Sequence, residues 1–172
     1  MTIGEHSLFH SVIYGACKMD RIYRVSFIGH REIDSFFYVE EQVKQIVERL
    51  IKTKEYVEFY VGRNGEFDLM VASVIKRAQR DYDYSNSSLI LVLAYPIANM
   101  EDMENYYDEV WYPQELYHVH YKAAITKRNE WFVNNSDLLV AYVTKESGGA
   151  YECLQKARKT GIEIVLLKEK QE

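Results

Sequence analysis

The chain has 172 residues, of which 48% are apolar and 27% charged, enough to bury a core without disulfide or metal staples and too apolar for a disordered chain. Its formal net charge of −5 argues against a surface that holds duplex nucleic acid by neutralising phosphates. Cys17 and Cys153 are too few and too far apart for a CxxC metal or redox motif, and they suit a reducing, cytoplasmic setting.

Residues 1–20 hold a loosely apolar stretch that no Lys or Arg precedes and that is too short to span a bilayer; they are expected to be a flexible extension. Residues 21–172 are expected to form one domain. Within it, runs rich in β-branched and aromatic residues predict strands at Ile22 to Ile28, Val57 to Val61, Leu89 to Ala94, Leu138 to Val143 and Ile162 to Leu167. Most of these runs are continuously apolar, as expected for strands covered on both faces. Between them, Glu40 to Lys52 carries Val43, Ile46, Val47, Leu50 and Ile51 on one helical stripe, and Phe67 to Arg80 carries Met70, Val71, Val74, Ile75 and Ala78. Tyr121 to Asn135 and Gly149 to Lys159 complete the predicted helices. The alternation predicts an α/β fold: a Rossmann-like, doubly wound, mostly parallel five-stranded sheet with helices on both faces.

The rhythm breaks between Pro96 and Tyr121. This segment holds six acidic residues and no Lys or Arg, together with Tyr106, Tyr107, Trp111, Tyr112, Tyr117 and Tyr121. Its length and aromatic content suggest an insertion or lid rather than a linker. Because so much acid is concentrated here, the rest of the chain is close to neutral and is free to bind an anion.

In open α/β sheets, ligands sit outside the carboxyl ends of the strands, where helix N-termini present free N–H groups. The candidates are therefore the residues that follow each strand. Gly29, His30 and Arg31 follow the first; Gly62, Arg63, Asn64 and Gly65 follow the second, with Glu66 and Asp68 opening the next helix. Ser147, Gly148, Gly149 and Ala150 follow the fourth. The small residues would let a phosphate reach the backbone of the last helix, and Arg31, Arg63 and Arg128 could supply positive charge. The same residues also fit ordinary turns and caps with surface arginines. No G-x-G-x-x-G, G-x-x-x-x-G-K-[ST] or G-x-S-x-G motif is present. His118 and His120 lie beside Glu115, but i,i+2 side chains diverge on a helix, so neither a metal nor a cofactor is expected.

These motifs, Gly29-His30-Arg31, Gly62-Arg63-Asn64-Gly65-Glu66-Phe67-Asp68, Arg128-Asn129-Glu130-Trp131 with Asn135-Ser136-Asp137, and Ser147-Gly148-Gly149-Ala150, resemble in order those of the SLOG superfamily, closest to its YpsA-like branch. That superfamily includes the DNA-processing protein DprA/Smf and the LOG nucleoside 5′-monophosphate phosphoribohydrolases. The resemblance implies a Rossmann-like fold, a phosphate-bearing nucleotide ligand, a phosphate loop at Gly148 and Gly149, and a role for Arg128. Catalysis carries over poorly. The LOG pattern P-G-G-x-G-T-x-x-E has Ser147 at its proline, lacks the Gly-Thr pair, and finds its nearest carboxylate, Glu152, three residues early, nearly one turn back along the helix.

Three readings follow. The favoured one is a cytoplasmic sensor or regulatory protein that binds a small nucleotide-derived ligand such as AMP, ADP-ribose or NAD, with an aromatic of the 96–121 segment stacked on the base. The second is a LOG-like N-glycosidase using Glu66 or Asp68. In the third, the tyrosine-rich segment is a protein-interaction surface. Neither a membrane nor a nucleic-acid partner is expected, and a homo-oligomer is compatible with all three.

Overall fold

Alternate residues along the central strands face opposite helical layers, and both sets are apolar. The computed structural model, which describes residues 22–82 and 84–170, has six strands: β1 (Ile22–Gly29), β2 (Tyr56–Val61), β3 (Ser87–Val92), β4 (Glu109–Trp111), β5 (Leu138–Tyr142) and β6 (Glu163–Leu166). They form one sheet in the order β4-β3-β2-β1-β5-β6, every pair parallel. Phe27, Phe59, Leu91 and Val140 point into one layer, and Ile28, Tyr60, Val92 and Ala141 into the other. This two-sided burial explains why the strands read as continuous apolar runs.

The first layer is built by α1 (Phe36–Thr53) and α2 (Glu66–Asp81), whose Val39, Val43, Val47, Val71, Val74 and Ile75 are almost fully buried. The short α3 (Met100–Tyr106) adds Met100 and Met103 to the same core. Opposite lie α4 (Tyr121–Asn135), through Phe132 and Val133, and α5 (Gly148–Thr160), through Cys153, Leu154 and Ala157. The fold is thus α/β and Rossmann-like, with helices on both faces. The expected extension at residues 1–20 lies outside the described residues.

The predicted strands and helices recur with small shifts at their ends. α1 begins four residues early, because Ser35 O accepts from the N–H groups of both Tyr38 and Val39 and Val39 completes the buried stripe. The larger difference is at residues 96–121, which supply α3 and the sixth strand. β4 is locked onto β3 by Asp108, whose carboxylate accepts from Leu89 N (2.7 Å), Gln79 Nε2 (2.8 Å) and Lys76 Nζ (2.6 Å). Trp111 packs against Tyr60 and Trp131. Tyr107 is 5% exposed, and burial pushes its hydroxyl up to about 12. Part of the acidic, aromatic segment, β4 with Tyr107 and Leu116, is therefore sheet and core, while most of its other residues are exposed.

The chain steps outward from β1 to β4, then returns so that β5 lies beside β1. The loops after these two strands lead to helices on opposite faces, and a crevice opens between them. Among the described residues no helix is long and apolar enough to cross a membrane.

Candidate functional site

A cavity of about 290 Å³ occupies this crevice. Its walls are three loops that the sequence places after β1, β2 and β5. From the first come Gly29, His30 and Arg31; from the second, Asn64, Gly65 and Asp68; from the third, Gly148, Gly149 and Ala150. Its floor adds Phe27, Ile28 and Phe67 with Ile125, Arg128 and Asn129 of α4. The volume is near the lower end for small-molecule sites.

The loops brace one another. Glu66 N–H donates to Arg31 O (2.8 Å), and Glu66 Oε2 accepts from Ile33 N–H (2.9 Å). His30 Nε2 accepts from Lys145 N–H (3.2 Å), joining the first loop to the third. Glu66 thus has a structural partner and lies outside the cavity wall, as do Gly62, Arg63 and Ser147. Ser147 is the exposed N-cap residue of α5, and its side chain makes no capping bond. His120 caps α4 by accepting from Lys122 N–H.

Gly62 is buried beneath the cavity, and the place a Cβ would take is filled by the Arg128 guanidinium and by Asp68 Oδ2, 2.6 Å away. A Cβ on Gly65 would come within 2.7 Å of the Arg31 backbone, and one on Gly29 would meet the Phe67 ring. These three glycines allow close packing of loops and helix. Gly148 differs: its φ is +86°, a conformation that favours glycine, and no atom lies within 4 Å of its missing Cβ. The first turn of α5 therefore opens onto the cavity with its N–H groups unpaired among the described residues.

Arg128 is only 4% exposed. Its Nε–H donates to Asn129 Oδ1 (3.0 Å), its Nη1 to Val92 O (3.3 Å), and its plane lies 4.7 Å from the centre of the Phe132 ring. Burial lowers its affinity for a proton, and Asp68 opposes that effect. An arginine keeps its charge in a protein, so Asp68 acts as its countercharge. Asp68 in turn is pushed above the usual carboxylate range by burial, against the pull of Arg128 and of Asn64 N–H, which donates to Oδ2 at 2.9 Å. Arg31, exposed at the rim, makes no ion pair or side-chain hydrogen bond among the described residues.

Burial holds Cys153, behind the floor, at a pKa of about 12, so it stays a thiol near neutral pH. No residue of the 96–121 segment lines the cavity; the aromatic side chains there are Phe27 and Phe67, the latter stacked on Tyr142. Glu152 is exposed on α5 and lies outside the wall. The floor residues Phe67, Ile125 and Asn129 were not candidates from the sequence, because apolar and amide side chains inside helices carry no local mark of facing a cavity.

Neither a family sequence model nor a curated protein matches the chain. Solved structures share its fold. DNA processing protein A from Streptococcus pneumoniae superposes with a TM-score of 0.63 at 13% identity, over 89% of this chain and 53% of that one. DNA processing protein A from Helicobacter pylori, described for its single-stranded DNA binding mode, gives 0.61 at 14% identity, over 88% and 67%. The molybdenum cofactor carrier protein from Chlamydomonas reinhardtii gives 0.55 at 16% identity, over 85% and 76%. The chain spans about half the length of the first of these proteins. At identities this low the likeness is one of fold: the chain shares the α/β architecture of these proteins.

Proposed function

We propose that the chain is a SLOG-type, YpsA-like protein whose cavity binds a phosphate-bearing nucleotide or nucleotide-derived ligand, and that it acts as a sensor or regulatory protein. One observation carries this reading: the open first turn of α5, with Gly148 at φ +86° and Gly149 free of bulk, faces a cavity at the point where the strand order reverses. Arg31 at the rim adds a cation that is unpaired among the described residues, and the apolar floor of Phe27, Ile28 and Phe67 offers a surface for a base or sugar.

A thermal-shift panel of AMP, ADP-ribose, NAD and a short single-stranded oligonucleotide tests it. A ligand at ~100 times its dissociation constant stabilises the fold by about 2.7 kcal/mol, which for a chain of this size is a rise of roughly 5–11 °C. A shift with the oligonucleotide and with none of the small molecules would favour a DNA-binding protein. No shift with any of them would remove the proposal.

Asp68 supports a second reading, a nucleotide N-glycosidase. Among the described residues it is the one carboxylate on the cavity wall, and burial raises its pKa against the pull of Arg128. Glycosidic cleavage needs such a group to donate a proton or to activate water. Under this reading AMP releases free adenine, Asp68→Asn abolishes release, and Glu66→Gln retains it. Intact AMP after prolonged incubation with folded protein would exclude it.

A further inference from the structure

Part of the Arg128 guanidinium is committed within the fold: two of its five N–H groups have acceptors among the described residues, while the side chain also lines the cavity. Nε and Nη1 have acceptors in Asn129 and Val92, the ring of Phe132 covers one side, and Asp68 supplies the countercharge. The same bonds determine what its neighbour presents. Of the two ends of a side-chain amide only the oxygen accepts an N–H, so the bond from Arg128 Nε fixes Asn129 Oδ1 as acceptor and turns the Asn129 NH2 group the other way. That group lies 3.9 Å from the position of a Gly149 Cβ, at the open end of α5. Asn129 is 6% exposed and lines the cavity, and its Nδ2 donates to no described residue.

A largely buried side chain whose NH2 group donates to no described residue, placed beside backbone N–H groups of a helix N-terminus that are likewise unpaired among the described residues, suits an oxyanion. We infer that Asn129 binds the ligand's phosphate through its NH2 group, and that Arg128, through its Nε–H, is a positioning residue that holds the Asn129 amide in the donating orientation. This rests on the reading of the cavity as a phosphate site. The neutral donor suits its surroundings: a lysine at this place would set a second cation against the buried Arg128, whereas an amide adds donors without charge. Arg31 then gives the approach to the cavity its positive charge, and the ligand class is a phosphate ester held chiefly by N–H groups.

Titrating AMP into the 15N-labelled protein tests the assignment directly. The Asn129 side-chain amide resonances are expected to move on saturation, while the Arg128 Nε–H resonance stays near its free position. Asn129→Asp keeps an oxygen for Arg128 Nε but replaces the donor with a carboxylate oxygen, and AMP binding is expected to weaken about 10- to 150-fold, the loss of a hydrogen bond to a charged group. Arg128→Lys weakens binding through the amide it no longer holds, so the double variant Arg128→Lys/Asn129→Asp binds no more weakly than Asn129→Asp alone. Should a variant fail to fold, the titration of the unsubstituted protein decides. Asn129→Asp binding within twofold of the unsubstituted protein, an unmoved Asn129 amide, or additive losses in the double variant would each overturn the assignment and leave the phosphate cavity standing. A protein that binds no phosphate probe at all would remove both.

Discussion

Glycines that look alike in the sequence act differently at the cavity. Gly29, Gly62 and Gly65 make room for protein atoms, and Gly148 and Gly149 leave open space where the proposed ligand would sit. Each was visible as a glycine after a strand, but its neighbour across the fold was not, since Phe67, Arg128 and the Arg31 backbone reach it from other elements. The distinction predicts opposite phenotypes. Gly62→Ala must displace the buried Arg128 and Asp68, and is expected to cost about 1–3 kcal/mol as overpacking does, read as a lower urea midpoint without ligand. Gly149→Val meets only Asn129 Nδ2, at an ordinary contact distance, so its urea midpoint should stay close to that of the unsubstituted protein. Its side chain fills the mouth of the phosphate site, so AMP no longer raises the melting temperature. A normal AMP response in Gly149→Val would show that the ligand does not approach the start of α5.

Among the strands, β4 was the one the sequence concealed. Three residues, Glu109 to Trp111, are too few for an alternating or continuous apolar pattern to stand out within an acidic stretch. What makes them a strand lies outside them, in the unpaired edge of β3 and in the side chain of Asp108. Burial alone would raise the Asp108 pKa, but bonds from Leu89 N–H, Lys76 and Gln79 outweigh it and hold the carboxyl below its ordinary range. A carboxyl whose pKa is lower when folded adds stability above its unfolded value, near 4, and that stability is lost as the pH falls through the lower folded value. The protein should therefore lose stability on acidification below about pH 4. Asp108→Asn should flatten that part of the profile and lower stability at pH 7 by about 1 kcal/mol, allowing for partial solvent screening. Urea midpoints from pH 3 to 7 for both proteins check this; parallel profiles would assign the acid sensitivity to other carboxylates.

At the scale of the whole molecule, the layered architecture was legible because both faces of the central strands are apolar, while the strand order was not, since nothing within a strand names its neighbour. That order puts the cavity between β1 and β5, both flanked by strands on each side, and leaves β4 and β6 at the edges. β3 and β5 are buried throughout, whereas both ends of β6 are exposed. Amide exchange should follow this gradient, because edge strands open with little loss of burial and central ones only with the whole fold. β1, β2, β3 and β5 should exchange slowest and together, and β4 and β6 sooner. Saturating AMP should add protection in the loops after β1, β2 and β5 and in the first turn of α5, with little local change at the two edges. Protection concentrated at β4 or β6 instead would place the ligand on an edge of the sheet, away from the cavity that the reversal of strand order creates.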